Sequence, residues 1–134
     1  MSRSVIPCVG AVVFDAQGRL LMIQRGHDPG AGLWSIPGGR IEPGETDEQA
    51  LVRELLEETN LQVKVDKFVG RVWREGLGGA VIDIRDYTAT VTGGTLRPGD
   101  DAADARWVEA AELARLEVTE GLIEALTEWG VLGN

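Results

Sequence analysis

The 134-residue chain holds a single cysteine, Cys8, so it can form no internal disulfide, which fits a reducing compartment. Cys8 lies within an apolar run, where a buried packing role is expected in preference to a nucleophile. No apolar stretch approaches the roughly 20 residues needed to cross a bilayer. The opening segment, "MSRSVIPCVGAVVFDAQG", lacks the charged region, apolar core and cleavage site of a secretion signal, so a cytoplasmic location is expected. Cations are scarce: 13 Lys and Arg stand against 22 Asp and Glu, a formal charge of −9. That balance argues against a basic surface for long nucleic acid. It leaves room for a small phosphorylated substrate, provided divalent cations stand between the two. There is one histidine, His27, which falls in a glycine-rich loop where a surface position is expected. Internal repeats, low-complexity segments and interdomain linkers are all absent, and the length suits one domain spanning residues 1–134.

What the chain does contain is 43% apolar residues in a mixed pattern. Val5 to Phe14 reads as a buried strand, "DAQG" as a turn, and Arg19 to Gln24 as the second arm of a hairpin. Arg25 to Glu45 is a loop with six glycines and three prolines in 21 residues. A loop of that length in a small domain is usually functional or disordered. Its apolar residues Leu33, Trp34, Ile36 and Ile41 suggest anchoring, and hence function, with Trp34 packing the loop onto a sheet. Thr46 to Asn60 reads as a helix: Thr46 and Gln49 fit a capping box, and Asn60 suits a left-handed stop. Leu51, Val52, Leu55, Leu56 and Thr59 form the expected apolar side. Strands are expected at Gln62 to Arg74, Ala80 to Thr92 and Arg106 to Val108, with Trp73 and Tyr87 as packing residues. Helices are expected at Glu109 to Leu116 and Thr119 to Leu132. The sum is an α/β chain with a mixed sheet covered by helices.

The stretch "RELLEETNL", Arg53 to Leu61, is anomalous. Glu54, Glu57 and Glu58 crowd onto one face in the later part of the helix, where mutual repulsion and the helix dipole both oppose them. A solvated acidic face normally alternates sign, and the one nearby cation, Arg53, precedes the acids. A hard divalent cation with oxygen ligands would offset the cost. The preceding "PGGRIEPGE" adds Gly38 and Gly39, able to bring backbone close to a ligand, Glu45, and the planar donors Arg40 and Arg53. Clustered acids, glycines and arginines suit a metal-assisted phosphate site.

From Gly39 the chain runs five residues to Glu45, then seven more to Arg53-Glu54-Leu55, one residue, Glu57-Glu58, one residue, Asn60 and Leu61. This resembles the 23-residue Nudix box, with Asn60 where the family has glycine; "LLMIQR" and "GLWSIPGG" are similar to its flanks. The resemblance implies a Nudix-type α/β/α sandwich around a mixed β-sheet. It implies a Mg²⁺- or Mn²⁺-dependent pyrophosphohydrolase, cleaving the diphosphate of a nucleoside diphosphate linked to another group: a nucleoside triphosphate or a nucleotide sugar such as ADP-ribose. Glu54, Glu57, Glu58 and the Gly38 carbonyl match metal ligands; Arg53 and Glu45 match residues that orient them. Arg25, Arg40 and Gly39 are the expected substrate contacts. For the general base the resemblance leaves Glu54 or an acid of the later loop, with Asp101 preferred to Asp100 and Asp104. The ADP-ribose subgroup often carries a proline about 15 residues past the box, where this chain has Gly76. The expected partner is a small nucleotide, with no nucleic acid polymer and no membrane; the resemblance also admits a homodimer. The alternative is a non-catalytic nucleotide-binding or sensing Nudix domain, although relatives of that kind usually lose box acids that this chain keeps.

Overall fold

The computed structural model describes residues 4–28, 30–99 and 102–132. Among these residues, seven strands and three α-helices follow in the order β1 (Val5–Val13), β2 (Leu20–Arg25), β3 (Trp34–Ser35), β4 (Gly38–Arg40), α1 (Asp47–Thr59), β5 (Leu61–Glu75), β6 (Val81–Gly94), β7 (Ala102–Val108), α2 (Ala110–Leu113) and α3 (Leu122–Glu128). A mixed four-stranded sheet has the order β4-β1-β6-β5, and a three-stranded antiparallel sheet the order β3-β2-β7. β1 pairs parallel with β6 and antiparallel with β4.

Strand alternation builds the layers. Val9, Ala11 and Val13 of β1 turn toward α1 and join Leu51, Leu55, Leu61, Val63 and Ala89. Val12 turns the other way, joining Leu20, Met22, Trp34, Val108, Leu113, Leu122 and Leu126 beneath α2 and α3. Two apolar layers with helices outside them make the expected α/β/α sandwich.

Several details depart from the expectations. β1 and β2 are not a hairpin in one sheet: they share only the Phe14–Leu20 bridge, after which β2 enters the other sheet. The turn is tied by Asp15, whose Oδ1 accepts from the amides of Gln17 and Arg19 while Oδ2 pairs with Arg19 Nε at 2.7 Å. On α1 the buried residues are Ala50, Leu51, Leu55 and Thr59, whereas Val52 and Leu56 are 37% and 47% exposed. At about 100° per residue both sit at the edge of the stripe that Leu51, Leu55 and Thr59 define. β7 is longer than the Arg106–Val108 expected because β2 supplies it with partners back to Ala102. The closing helices are shorter. Residues 117–119 bond instead to Trp34, through Trp34 N–H to the Glu117 carbonyl and Thr119 N–H to the Trp34 carbonyl, and Gly121 (φ 81°) and Gly130 (φ 72°) bracket α3. No helix among the described residues is long and apolar enough to cross a membrane.

Candidate active site

The site is assembled around α1. Its start is fixed by the expected capping box: Thr46 Oγ1 accepts from the Gln49 amide at 3.1 Å and Gln49 Oε1 accepts from the Thr46 amide at 3.0 Å. Its end is Asn60, the one non-glycine residue among those described with positive φ, at 63°. The Asn60 amide bonds the Leu56 carbonyl, and Nδ2 donates to the Thr95 carbonyl at 2.8 Å. Asn thus supplies the left-handed stop of glycine together with an anchor for the loop beyond β6. That loop answers the unsatisfied carbonyls of the helix end: Arg97 N–H donates to the Thr59 carbonyl at 3.0 Å and Gly99 N–H to that of Glu58 at 2.8 Å. A side chain on Gly99 would collide with the Glu57 carbonyl, so glycine permits the close approach.

Arg53 is the hub. Nε and Nη2 close on Glu45 Oε2 and Oε1 at 2.7 and 2.9 Å, a bidentate pair. Nη2 also donates to the Arg40 carbonyl at 2.9 Å. Nη1 reaches Glu54 Oε1 at 2.8 Å and Glu57 Oε2 at 3.2 Å. The guanidinium and the Glu42 amide hold the Glu45 carboxyl down at about 2, and the carboxylates of Glu45 and then Glu54 raise Arg53 further above its ordinary value. The repulsion along α1 is therefore offset in part by the arginine preceding the acids, whose long side chain folds back over them.

The second component is the Gly38–Gly39 strand edge. The Gly38 amide donates to Glu58 Oε1 at 3.0 Å. A Cβ on Gly39 would strike the Glu54 carboxyl, and one on Gly38 the Val9 carbonyl. The two glycines let β4 lie between β1 and the acids of α1. The structure thus brings together Gly38, Gly39, Glu45, Arg53, Glu54 and Glu58, with Glu57 at the solvent side, its side chain 59% exposed. Among the described residues no three acidic, His or Cys side chains are grouped as a cation site, and Arg53 bonds both Glu54 and Glu57.

Arg40 ends β4 with its side chain exposed. Arg25 ends β2; its amide and carbonyl bond Leu33 and Gly32, and its side chain runs beside Gly30. The Asp100 and Asp101 candidates lie outside the described residues, two positions and fewer beyond the docked Gly99. Asp104 pairs with Arg106 Nε at 3.0 Å on β7. His27 is exposed and Trp34 buried, as expected. Cys8 is only half-buried; burial raises its thiol pKa above the ordinary value. Trp73 corrects the packing expectation: it is 53% exposed, with the Arg71 guanidinium 4.6 Å from its ring and Arg71 paired to Asp83 at 2.7 Å. Tyr87 packs against the α1 layer and donates to Asp47 Oδ2; burial and that carboxylate push its hydroxyl up to about 12.

One residue was overlooked in the sequence. Asp86, on β6, is 4% exposed and its Oδ1 has no hydrogen-bond partner. Burial raises its carboxyl to about 7 against the pull of Arg74. The available signal was an aspartate inside the apolar strand "VIDIRDYTATV".

Fold and box geometry define a class, and comparison with known proteins agrees. The model of the NUDIX domain family matches residues 5–129. An ADP-ribose pyrophosphatase of Methanocaldococcus jannaschii is 35% identical over 120 residues, 87% of this chain and 70% of the relative. A CTP pyrophosphohydrolase of Escherichia coli is 35% identical over 96 residues, 71% of this chain and 70% of the relative. The crystal structure of a MutT protein from Methanosarcina mazei superposes with a TM-score of 0.83 at 20% identity, over 96% of this chain and 95% of that one. The chain belongs to the Nudix hydrolase family.

Proposed function

We propose that the chain is a divalent-metal-dependent pyrophosphohydrolase that cleaves the diphosphate of a nucleoside triphosphate or of a nucleoside diphosphate linked to a sugar. The observation that carries the reading is the Arg53 hub: one guanidinium fixes Glu45, Glu54 and Glu57 while the Gly38 amide fixes Glu58. The donor set fits Mg²⁺ or Mn²⁺. It is all oxygen, and the carboxyls of Glu54 and Glu58 share the small volume at the Gly38–Gly39 edge, where any Cβ would intrude. Glu54, Glu57, Glu58 and the Gly38 carbonyl would hold the ion. When bound, it neutralises polyphosphate charge and makes water more acidic.

The remaining work belongs to the chain. Glu45 and the Arg40 carbonyl hold the Arg53 guanidinium in plane, so Glu54 and Glu57 keep their places when substrate arrives. Glu54, its side chain 17% exposed, accepts the proton of the attacking water, with Asp101 as the alternative base. Arg25, Arg40 and the Gly39 backbone bind the phosphates. The relatives named for ADP-ribose and for CTP span both substrate versions. The single cysteine is in keeping with a cytoplasmic enzyme.

A phosphate-release screen over nucleoside triphosphates and nucleotide sugars with Mg²⁺ and with Mn²⁺ tests the reading. Turnover on at least one class is expected. A folded protein inert on every member of the panel would replace the enzyme with the nucleotide-sensing alternative.

A further inference from the structure

The register of the four-stranded sheet places Gly38, Gly10 and Asp86 side by side across β4, β1 and β6. At about 4.8 Å between neighbouring strands, Asp86 is roughly 10 Å from the Gly38 edge. Gly10 has no side chain, and the Asp86 carboxyl leans into the space a Cβ would fill, with Ile36 Cδ1 lying 3.3 Å from that same point. The carboxyl therefore leans along the row toward the Gly38 edge, on the sheet face opposite α1.

α3 closes the far side. It runs along β5 from Gly121, where a Cβ would lie 2.8 Å from Arg74 Nη2, to Trp129, whose ring lies on Gly70. Gly70 is the β5 partner of Asp86, and Arg74 is four residues further along β5. Arg74 makes no hydrogen bond or ion pair among the described residues, although its charge is felt at Asp86. Two polar groups of opposite charge thus share one face, close enough to interact and not bonded to each other, and one of them is a buried carboxyl with an orphaned oxygen. Buried polar atoms are rarely left so, and each such case calls for an explanation.

Building on the pyrophosphohydrolase reading, we propose that Asp86 and Arg74 together read the base of the substrate, selecting a ring carbonyl next to a ring N–H. The phosphates lie at Gly38–Gly39 and the nucleoside follows the row across Gly10. The base carbonyl accepts from the Arg74 guanidinium and the adjacent N–H donates to Asp86 Oδ1. Guanine, hypoxanthine, uracil and oxidised purines present that edge. Adenine has no ring carbonyl, and cytosine has no N–H beside its own. A site built to hydrogen-bond a substrate group rejects analogues lacking it far more strongly than an apolar pocket does.

The test compares kcat/KM for dGTP, UTP, ATP and CTP, using the parent, Asp86→Asn and Arg74→Gln, each checked for folding by thermal melting. It also measures binding of GMP and AMP without metal by calorimetry. The parent should favour dGTP and UTP over ATP and CTP by about tenfold or more, and GMP over AMP in binding. Each variant should cut that preference by about tenfold. If Asp86→Asn fails to fold, the half-buried Arg74→Gln decides. Equal use of all four bases by the parent, or a preference untouched by Arg74→Gln, overturns the proposal while leaving the pyrophosphohydrolase reading intact. Preferential GMP binding by a parent that hydrolyses nothing supports the base reader and sinks the enzymatic reading.

Discussion

Arg53 grips Glu45 across eight residues through two parallel hydrogen bonds, Nε to Oε2 at 2.7 Å and Nη2 to Oε1 at 2.9 Å. The same guanidinium bonds Glu54 and Glu57, so one side chain joins the loop before α1 to the acids on it. Lysine, a point charge, cannot hold that fork. Arg53→Lys should lower kcat by about 10- to 100-fold, the usual loss for a partner that orients ligands. Unchanged kcat with a folded variant would remove Arg53 from the mechanism. The pair also carries a pH signature. Glu45 is held at about 2 against its ordinary 4.5, so its stabilisation is complete above pH 4.5 and is lost as pH falls from there toward 2. Glu45→Gln should flatten the acid limb of a melting-temperature profile in that window.

Glu57 is the most exposed of the three acids, at 59% of its side chain, and its only bond to Arg53 is the long one at 3.2 Å. Glu57→Gln should therefore change stability by less than about 0.5 kcal/mol, as surface substitutions do, because lost attraction to Arg53 and relieved repulsion from its neighbours oppose each other. Turnover should fall by at least about 100-fold if the carboxylate is an ion ligand. Steady-state kinetics beside a urea melt separates the two quantities. A variant as fast as the parent would refute the ion assignment.

Asp86 titrates in the opposite sense from Glu45. Its carboxyl is raised from 3.8 to about 7, so between those values the folded chain keeps a proton that the unfolded chain has released. Stability from this group is then greatest at low pH and falls as pH rises from about 4 to 7, by about 4 kcal/mol at 1.36 kcal/mol per pH unit. Asp86→Asn keeps the shape without the charge. Above pH 7 the variant should be the more stable, and below about pH 4 the difference should vanish or reverse. Denaturant melts at several pH values measure it; parallel curves for the two proteins would show that Asp86 is not held neutral.

The box was legible because its chemistry is local. Gly39, Glu45, Arg53 and the three later acids keep fixed spacings along one loop and one helix, and the caps Thr46 and Asn60 set where that helix begins and ends. Asp86, Gly10 and Arg74 were not legible: they come together through a parallel β1–β6 pairing between segments more than 70 residues apart, which no periodicity encodes. The same reason explains the sheet assignments. The turn at Asp15 looks like that of a hairpin, and only competition from β6 and β4 for the two edges of β1 sends β2 to another sheet. The last helix is expected from Thr119, but the Thr119 amide bonds the Trp34 carbonyl and α3 begins at Leu122. The resemblance implies the pairing of Arg53 with Glu45 and Glu54, and the structure has both bonds; charge order alone discounts Arg53 as an offsetting cation because it precedes the acids, yet its long side chain reaches them.

Asn60 offers a final test, because its two contributions can be separated. Backbone at φ 63° is costly for residues with a Cβ and free for glycine, while Nδ2 holds the Thr95 carbonyl at 2.8 Å. Asn60→Gly keeps the helix stop and loses only the anchor; Asn60→Ala loses both. Asn60→Ala should therefore be the less stable of the two by about 1 kcal/mol. Both should loosen the segment that carries Arg97 and Gly99 against the end of α1, since the bonds of those amides to Thr59 and Glu58 depend on the loop staying docked. Hydrogen exchange at the amides of residues 97 and 99 should quicken in both variants. If exchange there is unchanged in Asn60→Gly, the side chain does not anchor the loop, and Asn60 is then no more than a substitute for the glycine of the family pattern.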